Sequence, residues 1–241
     1  MAPVILIPTY NNATTLPTVL DRLRLFTSDI IVVNDGSTDD TAEVIQNYPH
    51  PLHVVTHDSN CGKGQALVNG FREALHLGYD YAITIDSDGQ HYPEDLPIFF
   101  DALNGISEPT IIVGARTLEH ENKSQASVFA TRLANFWFAF QTWHYLPDTQ
   151  SGYRAYPLHH LHGLRFVTSR YEAELELLVF SVWHGVQLRT VPIRVYYPPR
   201  DERVSHFRPV RDFLRIFALN TTLFVVSITY GWWCMLWHRW R

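Results

Sequence analysis

The sequence predicts an α/β fold with a mainly parallel central sheet, and two observations predict it. Short, continuously apolar runs recur along the chain, and stretches with apolar residues at helical spacing separate them. The polar clusters that interrupt this rhythm fall directly after the runs, at the edge of such a sheet where ligands bind.

The first run, VILI at 4–7, ends at Pro8 and has the pattern of a strand buried on both faces. A polar turn, Tyr10-Asn11-Asn12, leads to a predicted helix over 15–26 with Leu16, Val19, Leu20 and Leu23 on one face. The second strand, DIIVVN at 29–34, is broken by Asp35-Gly36-Ser37, and Ser37 or Thr38 caps a helix over 40–48. LHVVTH (52–57) is the third strand, and Asn60 to Gly64 passes into a helix over 65–77. YAITID (81–86) is the fourth, followed by a helix over 93–103 whose first residue, Pro93, lacks an amide that the helix would not use. TIIVGA (110–115) is the fifth. The second half is less regular. Asp148 to Arg154 reads as a loop entering a short strand, 171–184 as a helix, and LRTVPIRVYY (188–197) as a strand whose Pro192 belongs at an edge or bulge. A charged loop then leads to a last hydrophobic segment, so the organisation is a main domain over 1–209 and an appended hydrophobic helix over 210–241.

The 241 residues are 46% hydrophobic and 18% charged, enough apolar material for one sizeable core. A net charge of −5 gives no general attraction for nucleic acid, which is not an expected partner. Cys61 and Cys234 are too few for a disulfide framework or a Cys-type zinc site, and the thirteen histidines show no metal-ligand spacing. The first apolar run is too short for a signal peptide and has no basic lead, so the expected location is the cytosol or a cytosolic membrane face.

Asp86 and Asp88 lie one residue apart at the end of the fourth run, with Gln90 just beyond. Hard divalent cations take oxygen ligands and commonly bridge one or two carboxylates to substrate phosphates. A strand ending near Asp86 lets the turn bring Asp88 and the Gln90 carbonyl oxygen to one ion, which would neutralise a departing diphosphate. The plainer alternative is a pair of solvated loop acids that cap a helix, but the other polar clusters converging on the same edge favour the metal.

Five motifs in order carry a family resemblance: IPTYNN (7–12), VNDGSTD (33–39), GKG (62–64), DSDGQHYPE (86–94) and DTQSGYR (148–154). They resemble the motifs of family 2 glycosyltransferases, in particular the branch of dolichyl-phosphate mannose and glucose synthases and bacterial polyprenyl-phosphate sugar transferases. The resemblance implies a GT-A, Rossmann-like fold, a UDP- or GDP-hexose donor, Mg²⁺ or Mn²⁺, and inversion at the anomeric carbon. It implies that Pro8, Tyr10 and Asp35 hold the nucleoside with Val33 beside the base. It further implies that Asp86, Asp88 and Gln90, with Ser87 between them, hold metal and diphosphate, and that Arg116 meets phosphate or acceptor. Arg203, Ser205 and His206 resemble the segment that closes over the donor phosphates and excludes water. The family often has Glu at the place of Asn12 and Asp at that of Asn34, so two negative charges are missing; Asn12 can still hydrogen-bond a ribose or base through its amide.

Plainer roles stand beside these. Asp35 is also placed to cap the next helix. Lys63, between two glycines, is either a phosphate-facing amine or a loop lysine, and the spacing is not that of a P-loop. Arg154 can pair with Asp148 or with a donor phosphate, and Asp148 is expected near the reacting centre. Glu172, Glu174 and Glu176 alternate, so they cannot share one helical face; Glu174 and Glu176 are expected to point to the site. A hydroxyl acceptor would need one of them as general base, whereas a phosphate acceptor is already an anion.

Residues 216–237 carry no charge and are flanked by arginines and a histidine, and about 20 apolar residues suffice to cross a bilayer. Spanning, interfacial and docked helices all fit this stretch. Its tryptophans, and the aromatic segment over 126–146, suit a membrane interface. The expected acceptor is therefore lipid-linked, a polyprenyl phosphate or glycolipid. The alternatives are a soluble saccharide or protein hydroxyl, a nucleotidyltransferase reaction, and a module that binds nucleotide sugars without catalysis.

Overall fold

The structure, a computed structural model, describes residues 2–116, 125–161, 168–170, 172–196 and 209–239. Its strands are β1 (Pro3–Thr9), β2 (Ile30–Asn34), β3 (His53–Thr56), β4 (Tyr81–Thr84), β5 (Thr110–Arg116), β6 (Arg154–Pro157) and β7 (Gln187–Ile193). They form one sheet in the order β3-β2-β1-β4-β6-β5-β7. The helices are α1 (Leu16–Leu23), α2 (Thr41–Gln46), α3 (Lys63–His76), α4 (Leu96–Leu103), α5 (Gln125–Thr142), α6 (Leu158–Leu161), α7 (Glu172–Trp183), α8 (Pro209–Val226) and α9 (Trp232–Arg239).

The sheet is mainly parallel, as expected. β1 runs parallel to β2 and β4, with Ile5 opposite Ile30 and Val4 opposite Ala82, and β5 runs parallel to β7. Among the described strands only β6 is antiparallel, between β4 and β5. That direction follows from the loop before it: the chain regains the ligand edge at 148–153 and must run back down the sheet. The alternation of each strand splits the apolar residues between two cores. Val4, Leu6, Ile31 and Val33 pack with Phe71, Leu177 and Trp183 on one face, and Ile5, Ile7, Ile30 and Val32 pack with Leu16, Leu20 and Phe99 on the other. Pro192 lies in β7, the edge strand where its missing amide leaves no gap in a ladder.

Of the boundaries that differ from expectation, two shape the site. β4 ends at Thr84 instead of Asp86, so residues 86–91 are free to turn over the sheet edge. α3 begins at Lys63 instead of Gln65, because Gly62 takes φ +97° and starts the helix two residues earlier. A side chain at Gly62 would also meet the Ser169 carbonyl oxygen at 2.5 Å, so only glycine fits there.

The C-terminal helices are docked on the domain. Leu219 and Leu223 join the first core, Phe224 stacks on Phe140 and Trp232 packs tilted against the same ring, with centroids 5.2 and 5.3 Å away. Residues Ser227–Gly231 form a widened π turn that sets Gly231 against the Trp183 ring; a Cβ there would lie 2.2 Å from it.

Candidate active site

The carboxyl ends of β1, β2, β4 and β5, the first turn of α3, the 148–152 loop and the start of α7 meet at one edge. At the centre stands Lys63. Its Nζ lies 2.6 Å from Asp86 Oδ1 and 3.1 Å from Glu174 Oε2. Gly152 lets the chain pass close beside this group: a Cβ there would sit 2.6 Å from Asp86 Oδ2 and 2.9 Å from Lys63 Nζ. His91 is buried beneath, its Nε2 3.8 Å from Asp86 Oδ2. Asp88 turns its Oδ1 back to accept the Gln90 amide at 3.0 Å.

The charges respond to each other. Burial would raise the Asp86 carboxyl, but Lys63 and His91 outweigh it and hold it below its ordinary value. Burial, then the charge of Asp86, pushes Asp88 up to about 6. Burial pushes His91 down to about 4, so it faces Asp86 as a neutral ring near neutral pH. Burial alone would lower the Lys63 ammonium, yet Asp86 and Glu174 raise it, so it stays charged.

This arrangement fits a hard divalent cation. Burial, with the Asp86 charge beside it, makes Asp88 resist ionisation, and a bound cation would offset both. Glu174 Oε1, His91 Nδ1 and Asn12 Oδ1 are buried without a hydrogen-bond partner, which leaves polar capacity for a bound ligand.

A second charged group closes the edge. Arg116 forks onto Asp148, Nε to Oδ2 at 2.5 Å and Nη2 to Oδ1 at 2.8 Å. Burial would raise the Asp148 carboxyl, but these bonds and the guanidinium charge hold it below the usual range.

A family model described as glycosyl transferase family 2 matches residues 4–166. The chain belongs to this family. Among the relatives of this transferase is the UDP-N-acetylglucosamine–dolichyl-phosphate N-acetylglucosaminyltransferase of Methanococcus voltae, 28% identical over 215 residues that cover 80% of this chain and 85% of that protein. Another is the polyprenol monophosphomannose synthase of Mycolicibacterium smegmatis, 29% identical over 202 residues, 79% of this chain and 76% of that one. The GT-A fold is shared with glucosyl-3-phosphoglycerate synthase of Mycobacterium tuberculosis, crystallised with Mn²⁺, UDP and phosphoglyceric acid. The TM-score is 0.67 at 19% identity, covering 97% of this chain and 78% of that chain.

The structure of the transferase brings Tyr10, Asn12, Asp35, Lys63, Asp86, Asp88, Arg116, Asp148 and Glu174 to this edge, but several of the expected roles change. Arg154 does not pair with Asp148: fully buried, it donates to the carbonyl oxygens of Thr149 (2.8 Å) and Glu174 (3.1 Å) and to the Tyr156 hydroxyl (3.1 Å). It ties α7 to the 148–152 loop from below. Asp148 spends its oxygens on Arg116 and the Gln90-like turn amide of Gln150, so it positions Arg116 and offers no free base. Glu174 and Glu176 diverge, as residues two apart on a helix must; Glu176 accepts the Thr168 amide at 2.9 Å and the Thr168 hydroxyl. Val33 points into the core instead of lying beside a base. The Ser87 hydroxyl accepts from Asn12 Nδ2 at 2.8 Å and donates to the Pro8 carbonyl oxygen, tying the acidic turn to β1. The Gln90 main-chain oxygen accepts from the Tyr196 amide at 2.8 Å, so that oxygen is already engaged. Asp35 is held by the Cys61 and Gly62 amides, each at 2.8 Å, and by His57 Nδ1 at 2.7 Å. Arg203, Ser205 and His206 lie outside the described residues.

Sequence reasoning passed over His57, His91 and Gly152 as site residues. His91 and Gly152 stand inside the quoted motifs, so their motif membership was the available signal. His57 had none, since only the β2–β3 pairing sets it beside Asp35.

Proposed function

We propose that this family 2 transferase moves a hexose from a nucleoside diphosphate sugar to a polyprenyl-phosphate or similar lipid-phosphate acceptor, with inversion and with Mg²⁺ or Mn²⁺. The observation that carries the reading is the Asp86–Asp88 pair at the sheet edge with the Lys63 ammonium beside it. Bound by Asp86, Asp88 and the Gln90 side chain, the metal supplies charge neutralisation to the leaving diphosphate. Lys63 adds a fixed positive charge at the same place, already desolvated before substrate arrives. Tyr10, Asn12 and Asp35 flank the nucleoside end, and the neutral Asn12 keeps one acceptor oxygen for it.

On the acceptor side, Arg116 presents a guanidinium oriented by Asp148, suited to a phosphate nucleophile. Such an acceptor attacks as an anion and needs no base, which agrees with the carboxylates here being engaged by Lys63, Arg116 and Thr168. The names of the relatives, dolichyl-phosphate and polyprenol transferases, support a lipid acceptor. So does the aromatic face of α5, α8 and α9, where Phe136, Trp143, Phe217, Trp233 and Trp237 are exposed. The cytosolic membrane face is the location this reading requires.

The free Glu174 Oε1 favours a second reading, in which a hydroxyl acceptor is deprotonated by Glu174. One experiment tests both. The protein is incubated with UDP- and GDP-hexoses, Mn²⁺ and extracted polyprenyl phosphate, and nucleotide release is read together with lipid labelling. Equimolar nucleoside diphosphate and labelled lipid are expected, with activity lost in Asp88→Ala. Pyrophosphate release, or full activity in folded Asp88→Ala, would overturn the proposal. Transfer only to hydroxyl acceptors, lost in Glu174→Gln, would select the second reading.

A further inference from the structure

Asp35, set at the nucleoside end by the proposed reading, forms a cluster with His57 and Cys61, two residues to which that reading gives no role. Their ligand atoms all lie within 4.8 Å of one another. Three elements build it. Asp35 follows β2, and His57 follows β3, where its amide donates to the Asn34 carbonyl oxygen at 2.9 Å and so continues the β2–β3 ladder past Thr56. Cys61 stands on the turn into α3. The side chains of Asp35 and His57 are buried, while Cys61 is exposed and gives access from solvent.

The hydrogen bonds define the resting state of this cluster. Gln65 Nε2 and Arg72 Nη1 both donate to Asn69 Oδ1, so the Asn69 amide nitrogen faces His57 Nε2 at 2.8 Å as a donor. His57 Nε2 is therefore the accepting nitrogen, and Nδ1 carries the proton donated to Asp35 Oδ1 at 2.7 Å. The Cys61 thiol donates to the Ser59 carbonyl oxygen at 3.3 Å.

We infer that Asp35, His57 and Cys61 form an inhibitory site for a borderline-soft transition-metal cation such as Zn²⁺, distinct from the hard-cation site at Asp86 and Asp88. One thiolate, one imidazole and one carboxylate are three ligands of the kinds Zn²⁺ takes, and they leave a fourth position for water. A thiolate in the set discriminates against Mg²⁺. Zinc bonds of about 2.0–2.3 Å place tetrahedral ligands some 3–4 Å apart, so the cluster closes by side-chain rotation without moving the sheet. The proton balance is simple. The Cys61 thiol releases its proton to solvent, and the imidazole proton moves from Nδ1 to Nε2. Asn69 turns its amide so that Oδ1 accepts it, the outer-shell hydrogen bond that metal-bound histidines commonly make.

Inhibition follows from what Asp35 does without metal. Its carboxylate fixes the Cys61 and Gly62 amides, and that turn sets Lys63 against Asp86. A cation that takes the carboxylate weakens this anchor and displaces the Lys63 turn. The inhibitory consequence rests on the proposed transfer reaction, whereas the binding itself does not.

The test uses Co²⁺ as a coloured substitute for Zn²⁺ on the whole protein, with circular dichroism to confirm the fold. A thiolate-to-cobalt charge-transfer band is expected in the wild type and in Asp88→Asn, and is lost in Cys61→Ser. Cys61 is exposed, so this variant keeps its fold and its transfer activity. Affinity should fall about tenfold or more in His57→Gln, and Zn²⁺ added over excess Mg²⁺ should inhibit the wild type but not Cys61→Ser. No thiolate band in folded wild type, or a band that survives Cys61→Ser and so belongs to Cys234, would overturn the site. Cobalt binding that persists in Cys61→Ser and is lost in Asp88→Asn would assign the cobalt to the hard-cation site and overturn it equally. If the band behaves as expected while no transfer activity is found, the site stands and the proposed function fails.

Discussion

Asp88 carries an electrostatic cost that a ligand can remove. Its carboxyl is pushed up to about 6 from an ordinary value near 3.8, by burial and by Asp86. A carboxyl that binds its proton more tightly in the fold than in the unfolded chain contributes stability only while protonated. That contribution is complete below about pH 4, is lost as the pH rises to about 6, and stays lost above it. The loss is on the order of 1–2 kcal/mol once solvent screening at this half-buried side chain is allowed for. Asp88→Asn should therefore raise the melting temperature of the metal-free protein at pH 7 and leave it nearly unchanged at pH 4. Mn²⁺ should stabilise the wild type at pH 7, by about 2.7 kcal/mol at a hundred times its dissociation constant, and the variant much less. Thermal melts at both pH values with and without Mn²⁺ check this, and a metal-free variant less stable than wild type at pH 7 would refute it.

The α7 helix shows at the next scale what spacing can and cannot reveal. Its alternating acids were legible as a feature, and so was their inability to share a face. Which one faces Lys63 was not, because that depends on how Arg154 and the Gly64–Ala173 contact rotate the helix against α3. Strand existence was legible throughout, since continuous apolar runs such as IIVV leave little else to form. The direction of β6 was not, because it is set by the loop at 148–153 and by its neighbours, not by its own four residues. The geometry of α7 separates two substitutions that look equivalent in sequence. Glu176→Gln weakens a charge-assisted cap on Thr168 and should cost about 1–3 kcal/mol of stability with kcat little changed. Glu174→Gln removes one of the two anions that hold Lys63 and should lower kcat/KM with a smaller loss of stability. Urea melts and steady-state kinetics on both variants distinguish them, and the reverse pattern would place Glu176 at the site instead.

For the molecule as a whole, the open matter in the sequence was how the hydrophobic carboxyl-terminal segment meets a membrane. Arg215–His238 has the length and composition to cross one, and only a minor part of it is buried against the domain. The buried part is specific. Leu219 and Leu223 sit in the core, Phe224 and Trp232 pack on Phe140 of α5, and Gly231 is pressed against Trp183. Crossing a bilayer would strip these contacts from the domain, at about 1.5–3 kcal/mol for each large side chain re-exposed. It would also place Asn220, Thr221 and Thr222 in hydrocarbon, with Asn220 losing its contact to Gln141. Lying flat costs neither, since the exposed side of the helix already carries Phe217, Val225, Ile228, Trp233 and Trp237 beside Phe136 and Trp143 of the α5 region. The protein should therefore bind vesicles through this continuous face without spanning them. Replacing Trp233 and Trp237 together by Ser should weaken cosedimentation with anionic vesicles by about tenfold or more while leaving the melting temperature within a few degrees, because both rings are exposed. Alkaline carbonate should release the bound wild type. Retention in the carbonate-washed membrane would mean that the helix leaves α5 and α7 and inserts, and the Trp183 to Gly231 contact would then be absent from the membrane-bound state.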